Sequence, residues 1–116
     1  MAEIDRHTFF AWLNASAGGR FQVPWFDLSG LNLRDVDLTD ANLEGTNLEG
    51  TELAGAILKN AIMVNANLTL ANLHGADLHG TNLTDANLHG ADLTDANLYA
   101  TNLTNVRRDK RTKGLP

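Results

Sequence analysis

The sequence contains no cysteine, and this absence removes several kinds of chemistry at once. Without cysteine there are no disulfides, no thiol nucleophile and no thiolate-ligated metal. No run approaches the roughly 18 apolar residues that a transmembrane helix requires. The N-terminal stretch MAEIDRHTFFAWLNAS carries charges where a secretory signal has its apolar core. We therefore expect a cytoplasmic protein without a membrane span.

Large side chains are also scarce. Hydrophobic residues make up 43% of the chain but aromatic residues only 6%, and the apolar content is mainly Leu and Ala. Such a composition is not that of a disordered chain. It does exclude a conventional core of large, mixed side chains.

Positive charge is scarce until the last ten residues. Residues 1–106 carry 13 Asp and Glu but only 4 Lys and Arg, whereas residues 107–116, RRDKRTKGLP, carry 5 Lys and Arg and 1 Asp. We expect 107–116 to be a flexible basic tail whose charge keeps another strand from adding to the end of the fold. The acidic body opposes binding of nucleic acid or an anionic membrane, so neither is an expected partner.

Leucine at a spacing of five is what the sequence has in abundance. Counting by fives from Leu28 to Leu103 gives sixteen in-phase positions, all leucine except Met63. Five matches neither the helical period of 3.6 nor the strand period of 2. In most units Ala or Thr lies two residues before the leucine, Asp, Asn or Glu lies directly before it, and Gly, Asn or Asp ends the unit.

Each position of the unit has a physical interpretation. The small residue and the leucine flank a polar one, which indicates a short extended segment with one face buried. Gly, Asn and Asp tolerate the positive φ that the third residue of a type II turn requires. Because a chain that turns after every five residues cannot bury leucine within one unit, coils must stack and hydrogen-bond to one another.

The units Ala71-Asn72-Leu73-His74-Gly75 and Ala86-Asn87-Leu88-His89-Gly90 resemble the pentapeptide repeat family. The resemblance covers residues 26–106 and favours a bacterial protein. It implies an all-β solenoid, a right-handed quadrilateral β-helix in which four units form one coil. The sixteen units then make about four coils. In that geometry each residue stacks on the one 20 positions further on, so the leucines form four nearly pure columns.

Residues 1–20 are predicted to form an N-terminal α-helical cap. Gly18-Gly19 supplies a stop at the end of the helix. Apolar side chains lie within about one turn of each other on such a helix. The candidate capping residues on it are Phe9, Phe10, Trp12 and Leu13.

The first coil shows why a cap is needed. Its inward positions hold large residues, including Phe26 and Leu31, where the middle coils hold Ala or Thr. These large residues predict a wider interior at this end of the solenoid. We expect the helix to cover that end, because repeat proteins need capped ends. The predicted domains are therefore the cap at 1–20, the β-helix at 21–106 and the tail at 107–116. A turn of a different kind is expected at Trp25, which holds a position that Gly usually takes.

No group of residues has the pattern of a catalytic or metal site. His74, His79 and His89 fall at three different corners and point outward, so they do not converge on a metal. No carboxylate on the outer walls pairs with a His or Ser as nucleophile and base. No phosphate-binding loop is present. We expect no enzyme activity, no cofactor, no metal and no small-molecule substrate.

Two features of the outer surface break the pattern. Ile57 and Ile62 replace the usual Asn or Asp, Val64 follows, and Leu70 is near in sequence. These four residues predict a small apolar interaction patch. A second candidate is one corner column: Thr39, Lys59, His79 and Tyr99.

The leading function is a non-catalytic structural or protein–protein interaction module with an unknown protein partner, present as a monomer or an end-to-end dimer. The resemblance offers two alternatives. One branch of the family mimics duplex DNA and binds DNA gyrase, and an acidic rod is its physical basis. Other relatives are accessory proteins of a photosynthetic or envelope compartment.

Overall fold

A computed structural model describes residues 4–16 and 20–116. The predicted helix stop at Gly18-Gly19 lies outside the described residues. Within them the architecture is one short helix, α1, followed by a four-sided solenoid. No helix in the described ranges is long and apolar enough to cross a membrane.

Helix α1 spans Arg6–Ala15. Its N-terminus is capped by Asp5, whose carboxylate accepts a hydrogen bond from the N–H of Thr8 at 2.7 Å. The hydrogen bonds from Thr8 lower the pKa of Asp5. At the other end, the N–H of Ser16 donates to the carbonyls of Trp12 and Leu13 at 3.2 Å each.

The solenoid has four walls, each with one bridging residue per coil in place of a long strand. Each bridging residue pairs in parallel with the one 20 positions further on, except that Asp92 pairs with Lys113. We number the walls 1 to 4, and each corner takes the number of the wall before it. The bridging residues are Gln22, Asn42, Ile62, Asn82 and Asn102 on wall 1; Asp27, Asn47, Asn67, Asn87 and Arg107 on wall 2; Asn32, Glu52, Asn72, Asp92 and Lys113 on wall 3; and Asp37, Ile57, Asp77 and Asn97 on wall 4.

The solenoid is longer than the sequence predicts. Three walls hold five bridging residues and one holds four, so there are nearly five coils where about four were expected. The leading unit at 21–25 joins the solenoid through Gln22, as predicted. At the other end, the Leu88 N–H donates to the Arg107 carbonyl at 2.7 Å and the Lys113 N–H donates to the Ala91 carbonyl at 3.0 Å. Residues 107–113 therefore belong to the last coil, and the predicted boundary at residue 106 falls inside it.

Backbone hydrogen bonds between coils hold the walls together. On wall 3 the N–H of Leu53 donates to the carbonyl of Asn72 at 2.7 Å. The N–H of Asn72 in turn donates back to the carbonyl of Thr51 at 3.0 Å. Similar bonds recur on every wall. Because these partners come from neighbouring coils, no unit satisfies its backbone alone.

The corners are built on positive φ. Every fifth residue from Trp25 to Asn105 has a φ between 57° and 73°. The residue after each corner donates its N–H to the carbonyl three positions back, as Ala41 does to Leu38 at 3.0 Å. A positive φ at the third residue of such a turn is the type II requirement. Trp25 has the same geometry, with a φ of 63°, so the expectation of a different turn there is wrong.

The leucine columns fill the interior. Every central residue from Leu28 to Leu93, Met63 included, is at most 2% exposed. Complete burial of one leucine stabilises the fold by roughly 2 kcal/mol. Inward threonines also find partners, since the hydroxyl of Thr81 donates to the Leu58 carbonyl at 2.6 Å. The small inward polar side chain is thus compatible with a dry core.

Helix α1 lies over the first coil. Phe9 is fully buried at 0% exposure and packs edge-to-face on Phe21, with ring centroids 5.2 Å apart. Trp12 packs in the same way on Phe26 at 5.4 Å. The other predicted capping residues also border the core: Phe10 and Leu13 are partly buried against it, and Leu31 is 8% exposed within it.

Arg6 adds a polar contact between α1 and the first coil. Its Nε donates to the carbonyl of Asn32 at 2.9 Å. On the same wall, the equivalent carbonyl of Asn72 accepts a bond from Leu53 in the coil before. The first coil has no preceding coil, so Arg6 supplies the donor that the fold otherwise lacks there.

Corner glycines provide room for side chains of the preceding coil. A Cβ added to Gly45 would meet the indole ring of Trp25, and one added to Gly90 would meet Cδ2 of Leu70. Gly50 has the same φ as Gly45, +65°, yet a Cβ there would meet open space. The Trp25 ring therefore occupies space that only glycine leaves free.

This arrangement predicts unequal costs for two alanine substitutions. Gly50→Ala should lower the free energy of unfolding by about 1–2 kcal/mol, the cost of a side chain at positive φ. Gly45→Ala should cost more, because the new methyl group also displaces the Trp25 ring. Urea denaturation measures both, and the excess cost should vanish when Trp25→Gly is present as well, because a Cβ on Gly50, which follows Gly30 in the same corner, meets open space. Equal costs of the two substitutions in the native background would contradict the stacking of Trp25 on Gly45.

Candidate interaction surfaces

The histidines do not converge on one site. His74 belongs to corner 3, where its Nε2 lies 3.9 Å from Asp95 Oδ2. His79 belongs to corner 4 and His89 to corner 2. Within residues 4–16 and 20–116, no group of three or more His, Asp or Glu could hold a metal ion.

The Asn or Asp before a leucine forms a hydrogen bond within its own turn, a role that was not predicted from the sequence. Its side-chain oxygen accepts a hydrogen bond from the backbone N–H two residues further on, as Asn72 does from His74 at 3.0 Å. This Asx turn stabilises the bend that follows. The preference for Asn and Asp over the longer Gln and Glu was the available signal. In most units the wall side chains thus serve the fold itself.

Some Asx turns gain a second hydrogen bond from a threonine hydroxyl. Thr39 Oγ1 donates to Asp37 Oδ1 at 2.7 Å. The pKa of Asp37 is lowered by this side-chain bond and by the backbone N–H of the same threonine. The pKa of Asp92 is lowered in the same way by Thr94.

The structure does not bring the predicted apolar patch together. Ile57 is on wall 4, Ile62 is on wall 1 and Val64 is in the corner that follows Ile62. Leu70 is in corner 2, away from Ile57, and is 54% exposed. Because five residues of chain turn the backbone through one corner, neighbours in sequence face different directions. The prediction of one patch of four residues is therefore wrong. Only Ile62 and Val64 lie on the same side of the solenoid.

Trp25 adds to these two residues. Corner 1 contains Trp25, Glu44 and Val64 in successive coils. The Trp25 N–H donates to the Glu44 carbonyl at 2.7 Å, and the Gly45 N–H donates to the Val64 carbonyl at 2.8 Å. Trp25 is 65% exposed, while Ile62 and Val64 are partly exposed. We call Trp25, Ile62 and Val64 the corner patch.

The second predicted column contains an exposed ring pair. His79 stacks on Tyr99 in corner 4, with ring centroids 5.2 Å apart and an interplanar angle of 28°. Tyr99 is 72% exposed. Lys59 continues the column in the coil before.

Asp109 organises the last coil. Its Oδ1 accepts backbone bonds from Gly90 at 3.1 Å, from Arg111 at 3.0 Å and from Thr112 at 3.2 Å. Its Oδ2 accepts from the Arg111 guanidinium at 3.0 Å and 3.3 Å. Thr112 then donates its hydroxyl to the Leu88 carbonyl at 2.8 Å. One carboxylate thus ties the basic segment to the coil before it.

The charge state of Asp109 reflects these contacts. Desolvation raises its pKa, but the hydrogen bonds from Arg111 and Gly90 and the charge of Arg111 outweigh that effect. They hold the pKa of Asp109 at about 2, below an ordinary value of 3.8. Asp109 is therefore a carboxylate at any physiological pH.

Acid should loosen the last coil through Asp109. Because its folded pKa is the lower one, the unfolded segment binds the proton first. The stabilisation is present above about pH 4 and is lost as the pH falls toward about 2. Hydrogen exchange of the Gly90 and Arg111 amides, corrected for intrinsic rates, should show protection falling in this range. Asp109→Asn should remove the pH dependence, and the same acid loss in that variant would contradict the assignment.

Comparison with known proteins agrees with this architecture. The family model for pentapeptide repeats matches 8 copies over residues 32–69 and 71–107. No curated protein matches the sequence. Rfr23, a pentapeptide repeat protein of the cyanobacterium Cyanothece, is 44% identical with a TM-score of 0.78, and the match covers 78% of this chain and 62% of Rfr23.

Two further solved structures extend the comparison. A pentapeptide repeat protein of the Arabidopsis thaliana thylakoid lumen is 30% identical with a TM-score of 0.72, over 80% of this chain and 63% of its own. A Nostoc pentapeptide repeat protein is 27% identical with a TM-score of 0.60, over 92% and 87%. This chain therefore spans less than two thirds of Rfr23 and of the Arabidopsis protein. The chain belongs to the pentapeptide repeat family, whose members are right-handed quadrilateral β-helices.

Proposed function

We propose that this chain is a non-catalytic protein–protein interaction module and that the corner patch contacts its partner. The observation that carries the proposal is the position of Trp25. It is a large aromatic residue at a φ of 63°, and it is 65% exposed. A side chain in that conformation costs about 1–2 kcal/mol, and its exposure leaves little burial to offset that cost.

Binding to a partner would offset the cost. Aromatic residues, tryptophan above all, supply much of the energy at protein interfaces when they become fully desolvated. The ring lies over Gly45, and this contact limits its rotation, so less conformational entropy is lost on binding. Ile62 and Val64 extend the apolar surface down the same side of the solenoid.

We also propose that α1 caps the N-terminal end. Supporting this role, Phe9 is completely buried, and Arg6 donates to the Asn32 carbonyl, which the coil geometry turns toward that end. An uncovered end would expose both apolar side chains and free strand-edge groups.

The DNA-mimic alternative is less favoured by the distribution of charge. A mimic of duplex DNA needs negative charge along its length. Here five Lys and Arg fall within residues 107–113, and Arg107 and Lys113 are bridging residues of the last coil. The negative charge of the rod is thus interrupted at one end.

The interaction surface can be tested with two matched variants. Trp25→Asn and Leu70→Asn both replace a bulky corner residue by one that tolerates positive φ. A partner captured from an extract of the source organism by the immobilised native chain should be retained by Leu70→Asn and lost by Trp25→Asn, as judged by quantitative mass spectrometry. Val64→Asn should weaken the same partner.

Two results would contradict this proposal. One is a partner that binds the native chain and Trp25→Asn equally. The other is inhibition of DNA gyrase supercoiling by the purified chain at micromolar concentration, which would favour the DNA-mimic alternative. The cytoplasmic location and the alternative photosynthetic or envelope location stay predictions, and immunolocalisation separates them.

The cap has its own test. Deleting residues 1–20 should expose Phe26, Leu31 and Val36 and so cause aggregation or end-to-end association. Light scattering on the truncated and full-length chains measures this directly. A truncated chain that remains monomeric would show that α1 is not needed as a cap.

A further inference from the structure

The last coil carries a second surface, separate from the corner patch. Residues 107–113 include Arg107, Arg108, Lys110, Arg111 and Lys113. All five are exposed. From residue 20 to residue 106 the solenoid has only three other cations, Arg20, Arg34 and Lys59. The positive charge of the solenoid is thus concentrated in one coil.

The backbone that carries these cations is held by the fold. Arg107 pairs with Asn87 on wall 2, and Lys113 pairs with Asp92 on wall 3. Lys113 is 21 positions from its partner instead of 20, so the segment between the two walls contains one extra residue. Asp109 accommodates that residue, because it binds the Gly90 N–H of the previous coil and the Arg111 side chain together.

The chain stays against the previous coil after Lys113, since a Cβ added to Gly114 would meet the backbone of Leu93. Gly114 has a φ of 86°, and Leu115 is partly buried against the core. Arg108 Nη1 donates to the carbonyl of Pro116 at 3.0 Å. Residues 107–116 therefore make a folded basic end to the solenoid, at the opposite end from the first coil, which α1 contacts.

We propose that this basic coil is a docking surface for a short acidic polypeptide segment. Arginine and lysine side chains bind carboxylates through charge-assisted hydrogen bonds, and arginine can do so with two parallel bonds. Because Asp109 and the wall pairing fix the backbone between the cations, the surface is arranged before the partner arrives. Preorganisation of this kind reduces the entropy lost on binding.

A short segment suits this surface better than a duplex or a bilayer. The previous coil presents Asp85, Asp92 and Asp95, and adjacent coils are only about 4.8 Å apart. That distance is within the screening length of about 8 Å at physiological salt. A large, flat polyanion that touched the cations would also meet these carboxylates, whereas a single acidic strand can contact the last coil alone.

The test uses fluorescence anisotropy with a labelled hexaglutamate peptide and the full chain. Binding should weaken as salt is raised. Arg107→Gln with Lys113→Gln should weaken it by roughly threefold or more, since two exposed ion pairs of modest strength are removed. Asp109→Ala should also weaken binding, although it makes the chain more positive, because the cations lose their arrangement. Limited trypsin digestion of the same variant reports whether the segment has been released.

The matched control is Asp95→Ala, which removes one negative charge from a neighbouring corner without touching the Asp109 contacts. It should bind hexaglutamate as well as the native chain or better. Binding by Asp109→Ala that equals or exceeds that of the native chain would overturn the proposal, since net charge alone would then explain the attraction. Tighter binding to a 20-bp DNA duplex or to phosphatidylserine vesicles than to hexaglutamate would overturn it too. If Asp109→Ala fails to fold, Arg107→Gln with Lys113→Gln is compared with Arg34→Gln with Lys59→Gln, which removes the same charge elsewhere on the solenoid. Equal weakening of binding by the two pairs would overturn the proposal.

Discussion

The coils of this protein depend on backbone hydrogen bonds to their neighbouring coils. A wall contributes only one bridging residue per coil, too little to be stable as a strand by itself. All four walls form these bonds together, because each coil repeats the same five-residue turn. Its N–H and carbonyl groups therefore align with the partner groups of the neighbouring coil. Leucine columns then follow from the ladder, since residues in register stack on one another and pack without cavities.

The same constraint limits where function can be located. Inward side chains fill the core, and most wall side chains close Asx turns. Corners are less restricted, because the residue after the leucine needs only to be outside and the next needs only to tolerate positive φ. Bulky residues occur at two such positions, Trp25 and Leu70, and each lies over a glycine of the following coil. The fold makes room for them at a cost in strain, which is why Trp25 is the centre of the proposed interaction surface.

Charge is arranged along the axis as well. Carboxylates such as Asp37 and Asp92 on the walls are stabilised as anions by their own turns, so their negative charge is a by-product of the repeat. The repeat does not require cations in this way. Even so, five of them lie in a segment that Asp109 folds into the last coil. A structural carboxylate and a cluster of exposed cations thus belong to one piece of the solenoid, which gives that end a character unlike the rest of the surface.

The repeat, the inward leucines and the positive φ two residues after each leucine could all be predicted from the sequence, because each of these depends only on residues within one unit. The sequence also placed Phe9 and Trp12 on a helix next to the large residues of the first coil. The family resemblance implied the 20-residue stacking register, and the structure then showed which outward side chains share a side of the solenoid. Ile57, Ile62 and Leu70 are close in sequence, but each corner rotates the chain to a new wall and separates them. The order of residues 107–113 likewise rests on Asp109 meeting the N–H of Gly90, 19 positions earlier, and a contact between coils of that kind has no counterpart in the local pattern.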